Sequence, residues 1–180
     1  MGASRLALLR GINVGGKNKL PMRDLIRMFE EAECENVRTL IQSGNVVFSA
    51  SPRVCSGLAA AIEATITEQF GYRTPVILRT AEQLREVVSN NPFLAAGEAE
   101  EMLHVMFLAD RPAAAKLASL DPNRSSPDRF AARGQEIFLH LPNGGAKSKL
   151  TNDWFDSKLN TVSTVRNWRT VGRLLEMMDE

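Results

Sequence analysis

VRTLIQSGNVVF, Val37–Phe48, is the stretch that decides the fold. Val37 to Ile41 is a run suited to a strand, Ser43-Gly44-Asn45 is a tight turn, and Val46 to Phe48 returns, so the stretch predicts a β-hairpin. On its N-terminal side Leu25, Met28, Phe29 and Ala32 recur at helical spacing to about Glu33, with Pro21 suited to the first helical position. Before that helix Leu6 to Leu9 is a short apolar strand. On the C-terminal side Pro52 opens a second helix, whose face Val54, Leu58, Ile62, Ile66 and Phe70 ends at Gly71, and Thr74 to Leu78 closes the set as a strand. The order β-α-β-β-α-β is the split βαβ, or ferredoxin-like, pattern.

The order then begins again. Thr80 caps a third helix with Gln83 in the capping-box position and Leu84, Val87 and Val88 on its buried face, and Asn91-Pro92 ends it. Ala95 to Glu101 is alanine-rich and acidic, as a linker would be. Met102 to Leu108 is a strand, Asp110 caps a short helix through Leu120, and Asp128 to Ala132 pairs across Arg133-Gly134 with Gln135 to Leu141. Thr151 caps a further helix, and a last one runs from about Thr164 to Met178 with Trp168, Val171, Leu174, Leu175 and Met178 on its apolar stripe. The expected fold is α+β, two ferredoxin-like (split β-α-β) units in tandem with a C-terminal helix. Residues 1–94 are the first unit plus a connecting helix, residues 101–180 the second with the C-terminal helices, and the two pack as one compact structure.

Hydrophobic residues at 44% and charged residues at 24% suit a folded chain, and the net charge of +1 gives no global attraction to nucleic acid. The apolar start is too short for a signal peptide or a membrane span, so a cytoplasmic, non-membrane protein is expected. Cys34 and Cys55 form no CxxC pair, and His104 and His140 sit inside apolar strands without further ligands near them, so no metal is expected and both histidines are read as structural.

Chemistry concentrates in LLRGINVGGKNK, Leu8–Lys19. Gly11, Gly15 and Gly16 free backbone N–H groups to approach an anion, Arg10, Lys17 and Lys19 supply charge, and Asn13 and Asn18 orient polar groups. A flexible, solvated connection is the competing reading. In the split βαβ topology the first two strands run parallel, which places this loop beside Ser43, Gly44 and Asn45. A second basic loop, LPNGGAKSKLT (Leu141–Thr151), offers Lys147, Ser148 and Lys149 ahead of a helix, and Arg166, Asn167 and Trp168 mark the start of the last helix, with Trp168 read as a core anchor.

Known fingerprints fail. Gly11–Asn18 differs from GxxxxGK[ST] at its last position, where Asn18 lacks the hydroxyl that binds magnesium, and GINVGG has Asn13 where GxGxxG needs its middle glycine. No GxSxG or HExxH occurs, and Glu30, Glu31, Glu33 and Glu35 read as a solvated helix end. The residues name neither a general base nor a cofactor.

ALLRGINVGGKNKLPM (Ala7–Met22), RTLIQSGNVVFS (Arg38–Ser49), FGYRTPVILRTAEQL (Phe70–Leu84), NPF, HVMFL, KSKLT and TVRNWRTVGRLLE together resemble the bacterial domain-of-unknown-function family numbered 1697 over essentially the whole chain. The resemblance implies an α+β fold of paired ferredoxin-like units. It marks Arg10 to Gly16, Ser43 to Asn45, Ser148 to Thr151 and Arg166 to Trp168 as signature positions, and it brings no catalytic residue with it.

The leading expectation is therefore a binding protein for a small ligand bearing phosphate or carboxylate, a nucleotide among the candidates. The two basic loops and the start of the last helix would face one pocket. The rival is an RNA-binding module, for which strand Leu6 to Leu9 has no aromatic and only Phe48 and Phe107 are available. A group-transfer enzyme using the same pocket is the third reading; the residues decide neither for nor against catalysis, nor do they fix the oligomeric state.

Overall fold

In the computed structural model, which describes residues 2–180, the hairpin pairs a strand that ends before Ile41 with one that begins at Asn45. The first strand, β1, is Ala3–Leu9, longer than its apolar stretch because the ladder extends over Ala3–Arg5. Then come α1 (Met22–Glu31), β2 (Glu35–Thr39), β3 (Asn45–Ala50), α2 (Pro52–Cys55), α3 (Leu58–Phe70) and β4 (Val76–Thr80). The sheet order is β2-β3-β1-β4 with each neighbouring pair antiparallel. β1 and β2 therefore run in the same direction, and both end at one edge of the sheet. The β-α-β-β-α-β expectation holds for this unit.

Local chemistry explains the departures. The helix expected from Pro52 is broken at Ser56-Gly57, where Gly57 takes a φ of +89°, so α2 and α3 are separate. Gly71 closes α3 in the left-handed region, its N–H donating to the Thr67 carbonyl. β4 starts at Val76 rather than Thr74, since Pro75 has no N–H to give to a ladder and the Glu63 carboxylate accepts from Val76 N, although the Pro75 carbonyl still accepts from Arg10 N. β2 ends at Thr39, and Ile41 leaves the ladder with a φ of +50°.

One face of this sheet packs Ala7, Leu9, Val46, Phe48 and Ala50 with Leu25, Met28 and Phe29 of α1 and Leu58, Ile62 and Ile66 of α3. Leu6, Leu8 and Val47 alternate onto the other face and are buried as well, so the Leu6–Leu9 part of β1, buried on both faces, is a continuous apolar run.

The second unit repeats the order. Its elements are β5 (Leu103–Leu108), α6 (Ala114–Ala118), β6 (Arg129–Arg133), β7 (Glu136–His140), α7 (Asn152–Leu159) and β8 (Ser163–Asn167), in the sheet order β6-β7-β5-β8. Before it lie α4 (Ala81–Ser89), α5 (Pro92–Ala95) and a short turn over Glu100–Met102; α8 (Trp168–Asp179) follows it. Residues up to Leu84 with Leu174–Glu180 make one compact unit, and Arg85–Arg173 the other. Its core joins Met106, Leu108, Ile137 and Leu139 of the sheet to Phe155 and Leu159 of α7.

Several local expectations hold and two need correction. Thr80 and Gln83 form the capping box, with Thr80 N donating to Gln83 Oε1 at 2.8 Å and Gln83 N to Thr80 Oγ1 at 3.1 Å. Thr151 caps α7 by accepting from Trp154 N at 3.3 Å. Asp110, in contrast, caps nothing: α6 starts after Ala113 without a side-chain cap, and the Asp110 carboxylate accepts from the Thr161 hydroxyl. The last helix does not start at Thr164. The β-branched run there pairs as β8 with β5, and α8 begins only at Trp168, where Asn167 Oδ1 accepts from Thr170 N at 2.8 Å.

Candidate functional site

The Arg10–Lys19 loop is built as a small hairpin. Lys17 N donates to Val14 O and Asn13 N to Asn18 O, each at 3.0 Å, around a tip at Gly15 and Gly16. Their φ values of +57° and +76° are what a two-residue turn matched to strand twist requires. The base of this hairpin is anchored by Ile12 and Leu20, both 1% exposed.

The asparagines brace the loop itself. Asn13 Nδ2 donates to Leu20 O and Asn13 Oδ1 accepts from Leu20 N, both at 2.9 Å, while Asn18 Nδ2 donates to Gly11 O at 2.9 Å. Both asparagines hold left-handed backbone conformations, which this residue tolerates better than most. Tyr72, a residue the sequence reading passed over, donates its hydroxyl to Asn18 O at 3.0 Å. The result is a stiffened projection rather than a loose connection. Lys17 and Lys19 are exposed on it, and neither enters an ion pair among the described residues.

The neighbouring turn arrives where the topology requires. Leu9 N donates to Gly44 O at 2.8 Å, and an added Cβ on Gly44 would stand 3.1 Å from Ile12 Cγ1. Asn45 is fully buried and donates to Leu40 O at 3.1 Å and Ser43 Oγ at 3.0 Å, so its amide closes the turn. Arg10–Lys19 and Ser43–Asn45 thus form one edge, to which Gly11, Gly15, Gly16 and the lysines contribute exposed surface.

In the second unit, Lys147 and Lys149 are exposed on a loop pinned by Leu141 and Leu150. Ser148 Oγ accepts from Leu150 N at 3.1 Å, and Lys149 N donates to Ser125 Oγ at 2.9 Å. Arg166 lies on β8, not at a helix start, and its Nη1 donates to Thr164 Oγ1 and Val165 O at 2.7 and 2.8 Å. Burial pulls its guanidinium down to about 10.

Asn167 and Trp168 line a cavity of about 460 Å³ together with His104, Arg169, Glu100 and Glu101. His104 pairs with Asn167 across the β5–β8 ladder. Reading 164–167 as helix hid that pairing, and with it the place of His104. Its Nδ1 is buried without an ordinary hydrogen bond, although the Met102 backbone favours the charged form; burial outweighs this and lowers the imidazole pKa. The unfolded chain therefore binds more protons below its own histidine pKa than the folded chain does. Stability from neutral His104 is full above that pKa and falls as pH drops toward the lower folded value. Chemical denaturation between about pH 7 and pH 5 should show this slope, and His104→Gln should flatten it.

The two aromatics available for base stacking, Phe48 and Phe107, are 1% and 0% exposed. No helix among the described residues is long and apolar enough to cross a membrane, and no group of three or more His, Cys, Asp or Glu among them could hold a metal ion.

Fold and candidate site together define the class: a tandem ferredoxin-like protein with a braced basic hairpin following the first strand. The chain belongs to the family described as "Protein of unknown function (DUF1697)", whose model matches residues 3–138. The match spans the RGINVGG and SGN stretches and ends before SKLT and RNW. Among solved structures, a conserved bacterial protein from Streptococcus pneumoniae matches with a TM-score of 0.74 and 22% identity over 97% of this chain and 98% of that one, a likeness of fold. No curated protein matches the chain.

Proposed function

We propose that the first unit binds a small ligand bearing phosphate or carboxylate at the edge formed by Arg10–Lys19 and Ser43–Asn45. The observation that carries this reading is the bracing of the loop by its own asparagines and Tyr72. A solvated connection needs no such framework, whereas a binding loop gains affinity when little ordering remains to be done on association. On this frame the exposed Lys17 and Lys19 act as charge donors and the Gly15-Gly16 tip admits close backbone approach.

Thermal unfolding against a panel of nucleotides, sugar phosphates, dicarboxylates and short RNAs tests the reading. A ligand at about 100 times its dissociation constant stabilises the native state by roughly 2.7 kcal/mol. The shift should vanish in Lys17→Ala/Lys19→Ala, whose side chains are exposed and whose loss leaves the fold intact. Retention of the full shift in that variant would place binding elsewhere and defeat the proposal. An affinity that falls steeply with salt for RNA alone would instead favour the nucleic-acid reading.

A further inference from the structure

Val14 and Ile41 are the large hydrophobic side chains exposed among the described residues, at 62% and 60%. They do not lie on unrelated surfaces. Val14 is on the basic hairpin two residues beyond Ile12, and Ile41 is on the turn that carries Gly44, which approaches Leu9 and Ile12. The parallel course of β1 and β2 brings both to one edge of the sheet. Ile41 also adopts a φ of +50°, a conformation in which a β-branched residue is an outlier, so local backbone preference does not account for isoleucine there.

Within the two loops that carry these side chains the charge is one-sided. Residues 10–19 carry Arg10, Lys17 and Lys19 and no acid, and residues 40–44 carry no charge, although the whole chain is only +1. A ligand suited to this edge has a compact multiple anion joined to an apolar face. We infer that the ligand of the proposed site is a nucleoside polyphosphate, its phosphates held by Lys17, Lys19 and the Gly15-Gly16 tip and its base resting on Val14 and Ile41. This rests on the anion-binding reading above and adds the base. Two exposed lysines and an amide-bearing tip match one polyphosphate, whereas a nucleic-acid strand draws on a longer basic track. A membrane surface is also a poorer match, because neither loop has an aromatic residue and the net charge gives little attraction to anionic lipid.

Isothermal titration of the full chain with the four ribonucleoside triphosphates, with inorganic triphosphate and with vesicles of phosphatidylglycerol tests the inference. At least one nucleotide should bind about tenfold tighter than inorganic triphosphate, the gain from withdrawing some 50–60 Å² of apolar surface from water. Val14→Ser and Ile41→Asn should erase that difference while leaving inorganic triphosphate affinity unchanged; asparagine suits the left-handed position, so the turn is kept. Equal affinity for nucleotides and inorganic triphosphate would overturn the base contact and leave the anion site standing. Loss of neither on Lys17→Ala/Lys19→Ala would overturn both. Vesicle binding that depends on Val14 and Ile41, without nucleotide binding, would assign the edge to a membrane and also overturn the inference.

Discussion

Alanine at Gly44 is expected to remove about 3 kcal/mol of stability, a large share of the 5–15 kcal/mol that a domain usually has. Two costs add. At a φ of +72° a side chain with a Cβ is strained by roughly 1–2 kcal/mol. The new methyl would also stand 2.8 Å from Leu9 Cβ and 2.9 Å from Leu9 O, where extra volume in a packed region costs about 1–3 kcal/mol. Leu9 is 0% exposed and Ile12 1%, so neither can move aside cheaply. The clash also pushes on the 2.8 Å bond from Leu9 N to Gly44 O, which joins the turn to the base of the basic loop. The control is Gly15→Ala, where φ is +57° but no atom lies within 4 Å of the new Cβ, so only the conformational cost of about 1 kcal/mol applies. Denaturant midpoints at constant m-value measure both. Equal losses at the two glycines would show that the close approach at Gly44 contributes nothing.

The same contrast separates what the sequence could reveal from what it could not. Ser43-Gly44-Asn45 announces a turn, and the β-α-β-β order announces that this turn meets the end of β1. Those are local preferences and a topology rule, and both can be read from residues. The use of each polar group cannot. Asn13 and Asn18 suggest ligand orientation as readily as loop bracing, and only the bonds to Leu20 and Gly11 decide how they are used here. Residues 163–167 were hidden for a different reason. Their side chains fit the N-terminal end of an amphipathic helix, but pairing with β5 overrides that pattern, and the shift moves Arg166 into a strand.

Val14 and Ile41 show the reverse limit, since exposure of an apolar side chain is a tertiary fact. In the sequence Ile41 looks like the last residue of a strand, and only its departure from the ladder at Thr39 puts it outside. Lys17 and Lys19, by contrast, are where a polar loop would put them.

Phe48→Ala is expected to cost about 3–5 kcal/mol, the range for removing a buried phenylalanine, and to do so without a matching loss of RNA affinity. Phe48 is the aromatic that a sheet-face RNA-binding reading would call on. Stacked bases lean on exposed rings, and alanine there would weaken binding by about 1–3 kcal/mol per base with little effect on the fold. The position of this ring points the other way. It is 1% exposed, lies in the core with α1 and α3, and meets Phe29 at 5.2 Å between centroids with a tilt of 53°. Alternation along β3 fixes this: Phe48 shares a face with Val46 and Ala50, the face that the helices cover. Urea unfolding and fluorescence titration with a short RNA, both on Phe48→Ala and on Phe48→Leu, give the comparison. Leucine should restore more than half of the lost stability, because most of the cavity is refilled. A stable alanine variant that had lost RNA binding would mean that the ring is reachable in solution, and the helix-covered face of the first sheet would have to open to allow it.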